Sequence, residues 1–114
     1  MKLNLLVLRC ANIEDSRNFY QLLGLTFVKE KHGNGPEHYA SHIDRLVFEI
    51  YPLKSGETPC NTRLGFSVQS VAPVIERIHI HEQYEYDGKI TYIALDPDGR
   101  KIEISLYATD TDNT

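Results

Sequence analysis

Alternation of apolar and polar residues is clearest near the end of the chain, over Lys89–Leu106 (KITYIALDPDGRKIEISL). Two runs rich in β-forming residues flank Asp96-Pro97-Asp98-Gly99. They predict a hairpin, because proline presets φ in a turn and glycine accepts the positive φ that closes it. In the second run Ile102 and Ile104 point to one face of the sheet, so Glu103 points to the other. A carboxylate between two apolar residues makes Glu103 the first candidate functional residue.

The first half of the chain contains a βαβββ pattern. Its predicted elements are a strand over Leu3–Cys10, a helix from the N-cap Asn12 to Gly24, a strand over Thr26–Lys31, and a hairpin of His38–Ile43 with Leu46–Pro52. The intervening stretch 32–36 contains too many glycine and proline residues for a regular element and is expected to be a loop.

The second half repeats this order of elements. Its predicted elements are a strand over Arg63–Val68, a helix from Ser70 to about Glu82, strands over Gln83–Tyr86 and Lys89–Leu95 around the Asp87-Gly88 turn, and the last strand ending at Leu106. The sequence therefore predicts an α+β domain of two βαβββ repeats, at about 2–53 and 62–107. A polar connector spans 53–61, and a frayed tail is expected over 108–114.

Tight-turn registers predict which side chains share a face of the sheet. Pairing Ile43 with Leu46 places Ala40 opposite Glu49, and pairing Leu95 with Arg100 places Tyr92 opposite Glu103. The expected apolar face, which receives the helices, contains Leu46, Phe48, Ile50, Ile93, Ile102 and Ile104. The expected polar face contains His38, His42, Glu49, Tyr51, Gln83, Glu85, Tyr92, Lys101 and Glu103. These faces predict a cupped mixed sheet that has helices on its convex side and holds a polar ligand on the other.

Composition narrows the classes of function. The 114 residues suit one domain, and the formal charge of -4 with scattered Lys and Arg argues against a nucleic-acid surface. No apolar run is long enough to span a membrane and no signal peptide is recognised, so a cytoplasmic protein is expected. Cys10 and Cys60 are expected to be reduced thiols; a disulfide between them stays open, but nothing in their spacing requires it.

Several short motifs resemble those of the vicinal oxygen chelate superfamily, which includes glyoxalase I, extradiol dioxygenases, fosfomycin-resistance proteins and bleomycin-binding proteins. The similarity covers nearly the whole chain. It rests on Asn12-Ile13-Glu14-Asp15-Ser16, Phe19-Tyr20, Leu23-Gly24-Leu25, and Leu95-Asp96-Pro97-Asp98-Gly99-Arg100 with Ile102-Glu103. The resemblance implies the glyoxalase/bleomycin-resistance-like fold, but it does not imply one reaction, since members of the superfamily differ widely in chemistry.

Metal-dependent members of this superfamily place ligands on the first and fourth strands of each repeat. By this resemblance the four positions are Leu5, Glu49, Arg63 and Glu103. Leu5 has no lone pair to offer, and the guanidinium of Arg63 stays protonated and repels a divalent cation. The expectation is therefore that the inherited metal site is degenerate and that no metal cofactor is held there.

Histidines offer another route to a divalent metal. His38 and His42 share a strand face about 13 Å apart, at ~3.3 Å per residue, so only one of them can join Glu49 and Glu103 around an ion. They can equally be polar lining of the cup. His32, in the loop, is interpreted as a solvated residue or as part of a lid over a ligand.

Three hypotheses for function follow. The first is a small-molecule-binding protein that sequesters or processes a polar compound, whose ligand-binding residues are Arg63, Glu49, Glu103, Arg9, His38, His42, Tyr51 and Tyr92. The second is a divalent-metal-dependent lyase, transferase or dioxygenase that uses Glu49 and Glu103 with His38 or His42. The third is a structural or regulatory subunit in which Arg63 only neutralises the two carboxylates. In each case the open sheet edges favour a homodimer.

Overall fold

Each half of the chain folds into its own four-stranded mixed sheet. The computed structural model describes residues 1–107, and the chain divides after Asn61 into two units. The predicted tail at 108–114 lies outside the described residues. Within the described part, no helix is both long and apolar enough to cross a membrane.

The first unit contains five elements in the predicted βαβββ order. They are β1 (Leu5–Cys10), α1 (Ile13–Gln21), β2 (Val28–Glu30), β3 (His38–Ile43) and β4 (Leu46–Pro52). The strands are ordered β1-β4-β3-β2, and β1 runs parallel to β4. The predicted N-cap is confirmed, since the Asn12 side chain accepts a hydrogen bond from the backbone N–H of Asp15 at 3.0 Å. Tyr20 of α1 is fully buried and packs edge-to-face on Phe48 of β4.

The second unit repeats this order. Its elements are β5 (Leu64–Val68), α2 (Ala72–Arg77), β6 (Glu82–Tyr86), β7 (Lys89–Leu95) and β8 (Lys101–Leu106). The strands are ordered β5-β8-β7-β6, with β5 parallel to β8. The prediction of two βαβββ repeats in an α+β chain is therefore confirmed.

The predicted extent of the second helix is wrong. Its N-cap is Val71, without a side-chain cap, instead of Ser70, and the helix ends at Arg77 instead of near Glu82. Ile78 is already extended, and the backbone N–H of His81 bonds to the carbonyl of Ile93 at 2.7 Å. A longer helix would remove that N–H from the sheet, so pairing with β7 sets the end of α2.

The predicted register of the β3–β4 hairpin is confirmed. Ile43 pairs with Leu46, Ala40 with Glu49, and His42 with Val47.

The predicted register of the last hairpin is wrong by one residue. Leu95 pairs with Lys101 and Ile93 with Glu103, whereas Tyr92 pairs with Ile104. The predicted pairing of Gln83 with Tyr92 is confirmed, so Gln83 and Glu85 follow Tyr92 onto the face of Ile102 and Ile104. Ile93, expected on the apolar face, shares the face of Glu103 instead.

The cause of this shift is the buried side chain of Arg100. Its Nη1 donates to Asp96 Oδ2 and to Asp98 Oδ2, both at 3.1 Å, and the Arg100 side chain is fully buried. Asp96 Oδ1 in turn accepts from the backbone N–H groups of Asp98 and Arg100. Arg100 therefore closes the turn and does not pair with Leu95, which lengthens the loop from four residues to five.

The carboxylate of Glu14 joins α1 to β3 and predicts an acid-sensitive contact. The Tyr39 hydroxyl donates to Glu14 Oε2 at 2.6 Å, and this bond, followed by the charges of Lys29 and Arg17, lowers the pKa of Glu14 below its ordinary value. Stability from this contact is present above about pH 4.3, the unperturbed pKa of Glu, and is lost as the pH falls through the lowered pKa.

Replacing the carboxylate tests this contact. In urea unfolding at pH 6 and pH 3, we expect Glu14→Gln to destabilise the protein at pH 6 and to differ less from the wild type at pH 3. Glu76→Gln, at an exposed position of α2, is the matched control. A Glu14→Gln difference that is equal at both pH values would contradict the assignment.

Candidate functional site

A buried histidine lies at the centre of the polar face of the first unit. His38, the first residue of β3, pairs with Glu30, the last residue of β2, and only 1% of its surface is exposed. Its Nδ1 lies 3.3 Å from the carbonyl oxygen of Pro36. Because a carbonyl can only accept, Nδ1 is the donor in this contact, and Nε2 is the ring nitrogen that faces the neighbouring polar side chains.

Three oxygen atoms surround that Nε2 atom. Glu30 Oε1 lies at 3.2 Å, the Tyr51 hydroxyl oxygen at 3.3 Å and Glu49 Oε2 at 3.6 Å. The Tyr51 ring stacks on the imidazole with centroids 4.1 Å apart. Burial, followed by the charge of Glu49, raises the pKa of Tyr51, so its hydroxyl keeps its proton. The site thus combines one buried imidazole with two carboxylates.

Arg9 and His42 lie at the sides of this group. The guanidinium of Arg9 lies 5.0 Å from the centroid of the Tyr51 ring and donates to the Pro52 carbonyl at 3.2 Å. It therefore brings positive charge to the stacked rings. His42 lies on the same face as His38 but is exposed, four residues further along β3.

Two residues of this group were not identified as its members from sequence. Glu30 was not singled out, and His32 was interpreted as a loop residue. A turn in which the Gly35 N–H bonds to the His32 carbonyl at 2.9 Å folds the loop, and His32 Nε2 comes to 3.8 Å from Glu30 Oε1. The pairing of Glu30 with His38 would have predicted this group. The register of that pairing was not predictable, because the long β2–β3 loop does not fix it.

The polar face of the second unit contains an ion pair between Arg63 and Glu103. Arg63 Nε donates to Glu103 Oε2 at 2.6 Å, and the Tyr84 hydroxyl donates to Glu103 Oε1 at 3.0 Å. The bond to Glu103 raises the pKa of Arg63 above its ordinary value, so the side chain is a permanent cation. Gly65 pairs with Glu103, and a Cβ there would meet only the Glu103 Cβ, at 3.8 Å. A methyl group at Gly65 would therefore make only an ordinary contact with Glu103.

The structure places the predicted site residues in two groups. His38, Glu49, Tyr51 and Arg9 come together in the first unit, and Arg63 contacts Glu103 in the second. The prediction that Tyr92 lies opposite Glu103 is wrong, because the register shift puts it on the other face and Tyr84 of β6 takes its place beside the carboxylate.

The four positions implied by the family resemblance do not suit a metal. Val7 pairs with Glu49 and Gly65 pairs with Glu103, so Leu5 and Arg63 are equivalent, each two residues before the residue that pairs with the glutamate. Leu5 offers no donor atom, and Arg63 binds the carboxylate that a metal would need. These residues do not fit the divalent ion of metal-dependent members.

Comparison with solved structures confirms the fold. Oxidase ChaP-H2 has a TM-score of 0.76 and 16% identity, with 98% of each chain covered. An integron cassette protein from the mobile metagenome of V. cholerae has a TM-score of 0.70 and 24% identity over 95% of this chain and 96% of its own. The lactoylglutathione lyase of Agrobacterium tumefaciens has a TM-score of 0.67 and 14% identity, with 92% of each chain covered.

No protein-family model and no curated protein matches the chain. The structural likeness therefore establishes the fold alone, and the chain has the vicinal oxygen chelate, or glyoxalase-like, fold that its motifs predict.

Proposed function

We propose that this protein of glyoxalase-like fold binds a small polar molecule that carries a carboxylate, a phosphate or a polarised carbonyl group. The observation behind this proposal is the Arg63–Glu103 pair on the polar face of the second unit. A guanidinium has five N–H donors in a planar fork, and the contact with Glu103 uses Nε. About half of the Arg63 side chain is exposed, at 47%, so it is accessible to a ligand.

The neighbours of Arg63 support this proposal. Both oxygens of Glu103 accept hydrogen bonds, one from Arg63 and one from Tyr84, and these bonds hold the guanidinium in place. A donor that is already oriented loses less conformational entropy when a ligand arrives. Oxyanion or carbonyl recognition by charge and shape is the chemistry that these residues perform.

The metal-dependent lyase, transferase or dioxygenase predicted from the sequence is the second candidate. One observation favours it, namely that His38 Nε2 lies 3.6 Å from Glu49 Oε2. The engagement of Glu103 with a permanent cation counts against it. We therefore rank binding of an organic ligand above metal-dependent catalysis at these positions.

A ligand panel tested on metal-free protein checks the proposal. Metal is removed with a chelating resin that is then separated, so that no soluble carboxylate chelator competes for Arg63. We expect isothermal titration calorimetry to find binding among small carboxylates, phosphate esters and α-hydroxyketones, at millimolar or lower concentration. Affinity should fall as salt rises, since an exposed ion pair is screened. If no compound of the panel binds at millimolar concentration, the proposal is wrong.

A further inference from the structure

Three side chains of the first unit form a cluster that contains none of the four positions discussed above but lies beside one of them, Glu49. Glu30, His32 and His38, here termed the β2–β3 cluster, each offer one ligand atom, and these atoms lie within 4.8 Å of one another. Imidazole nitrogens suit Zn²⁺, Ni²⁺, Cu²⁺ and Fe²⁺, whereas Mg²⁺ and Ca²⁺ prefer oxygen alone. We propose that the β2–β3 cluster binds a divalent transition-metal ion.

The distances within the cluster are close to those that an ion requires. Metal bonds of about 2.0–2.1 Å in a tetrahedron place neighbouring ligand atoms about 3.3 Å apart. His38 Nε2 lies 3.2 Å from Glu30 Oε1, and His32 Nε2 lies 3.8 Å from the same oxygen. Since 71% of the His32 side chain is exposed, it can rotate inward without disturbing the core.

The buried histidine is oriented as a metal ligand is. Metal-binding histidines usually donate their other ring N–H to a carbonyl or carboxylate, which fixes the tautomer. His38 makes this contact through Nδ1 with the Pro36 carbonyl, so Nε2 is the ring nitrogen that faces the cluster. The oxygens of Glu30, Tyr51 and Glu49 lie 3.2, 3.3 and 3.6 Å from that Nε2. A metal ion there takes the imidazole as a ligand and neutralises the two carboxylates.

A fourth donor is already beside the cluster. Glu49 Oε2 lies 3.6 Å from His38 Nε2 and is placed either to ligate the ion or to accept a hydrogen bond from a water bound to it. Its side chain is only 16% exposed, which limits competition by solvent. Glu30 and His38 belong to strands β2 and β3, whereas His32 belongs to the loop 31–37 that joins them. The ion would therefore connect this loop to the sheet.

Metal titration of the full chain tests this proposal. Protein prepared without a histidine tag, and stripped with EDTA that is then removed, is titrated with Zn²⁺ by calorimetry and with Co²⁺ by visible absorption. We expect one ion per chain and a Co²⁺ spectrum typical of mixed nitrogen and oxygen ligation. His32→Ala, Glu30→Gln and His38→Gln should each weaken binding by at least about 100-fold, since even outer partners contribute about 10–100-fold.

The exposed His79, in the second unit, provides the matched control. His79→Ala should bind both ions as the wild type does, because this side chain lies outside the cluster. If His38→Gln fails to fold, His32→Ala decides the matter, since its side chain is largely exposed. The proposal is overturned if the wild type binds neither ion, or if His32→Ala keeps wild-type affinity. The proposal is also overturned if the double variant His79→Ala, His81→Ala loses metal binding while His32→Ala keeps it.

Discussion

Arg100→Met should destabilise the protein by about 3–5 kcal/mol, the cost of removing one partner from a buried ion pair. The guanidinium is fully buried, and its Nη1 donates to Asp96 and to Asp98, whose side chains are 0% and 5% exposed. Methionine fills similar space but leaves both carboxylates without this cation. Equilibrium unfolding in urea measures the loss as a lower midpoint.

Two further variants separate charge from shape at this turn. Lys101→Met, at the exposed neighbouring position, should change the free energy of unfolding little. Adding Asp96→Asn and Asp98→Asn to Arg100→Met should recover part of the stability, because neutral amides then replace the carboxylates and the Asp96→Asn amide oxygen still accepts from the backbone. An Arg100→Met variant within about 1 kcal/mol of the wild type would contradict the role of this pair.

The same turn shows where prediction from sequence reaches its limit. The Asp96-Pro97-Asp98-Gly99 turn was recognisable, and the positive φ of Gly99, +85°, agrees with it. The register of the β7–β8 hairpin was not recognisable, because it depends on whether the Arg100 side chain is buried or exposed. An arginine at a turn normally faces solvent, whereas this one is buried between two aspartates. A shift of one residue then moved Tyr92 to the opposite face and Ile93 to the face of Glu103.

The first repeat was more predictable for a local reason. Its β3–β4 hairpin turns over two residues, so the turn length sets the register and the faces of His38 and Glu49. The pairing of β2 with β3 crosses a seven-residue loop, and such a loop allows several registers. For this reason His38 was a candidate from sequence, whereas its partners Glu30 and His32 became visible only in the structure.

Arg63 and Arg100 of the second unit lie in opposite environments, so substitutions at these two positions should have different effects. Arg100 is buried, whereas the Arg63 side chain is about half exposed and its ion pair with Glu103 is accessible to solvent. Exposed ion pairs contribute little to folding. Arg63→Met should therefore leave the urea midpoint close to that of the wild type, even though its contact of 2.6 Å is shorter than either contact of Arg100.

Ligand affinity, in contrast, should fall about 10- to 100-fold in Arg63→Met for the tightest carboxylate or phosphate of the panel. A hydrogen bond to a charged group contributes about 1.5–3 kcal/mol, and each 1.4 kcal/mol is tenfold in affinity. Calorimetry on metal-free protein, without a soluble chelator, measures the change. Arg63→Lys should bind with intermediate affinity, because lysine keeps the charge but lacks the planar fork.

Arg77→Met is the matched control, since it removes an exposed arginine from α2 of the same unit. It should bind the ligand with wild-type affinity. Equal losses in the Arg63 and Arg77 variants would show only a general effect of net charge, and unchanged affinity in Arg63→Met would exclude this guanidinium from the binding site. A loss confined to Arg63 would separate recognition of the organic ligand from the β2–β3 cluster, whose metal affinity the Arg63 substitution should not change.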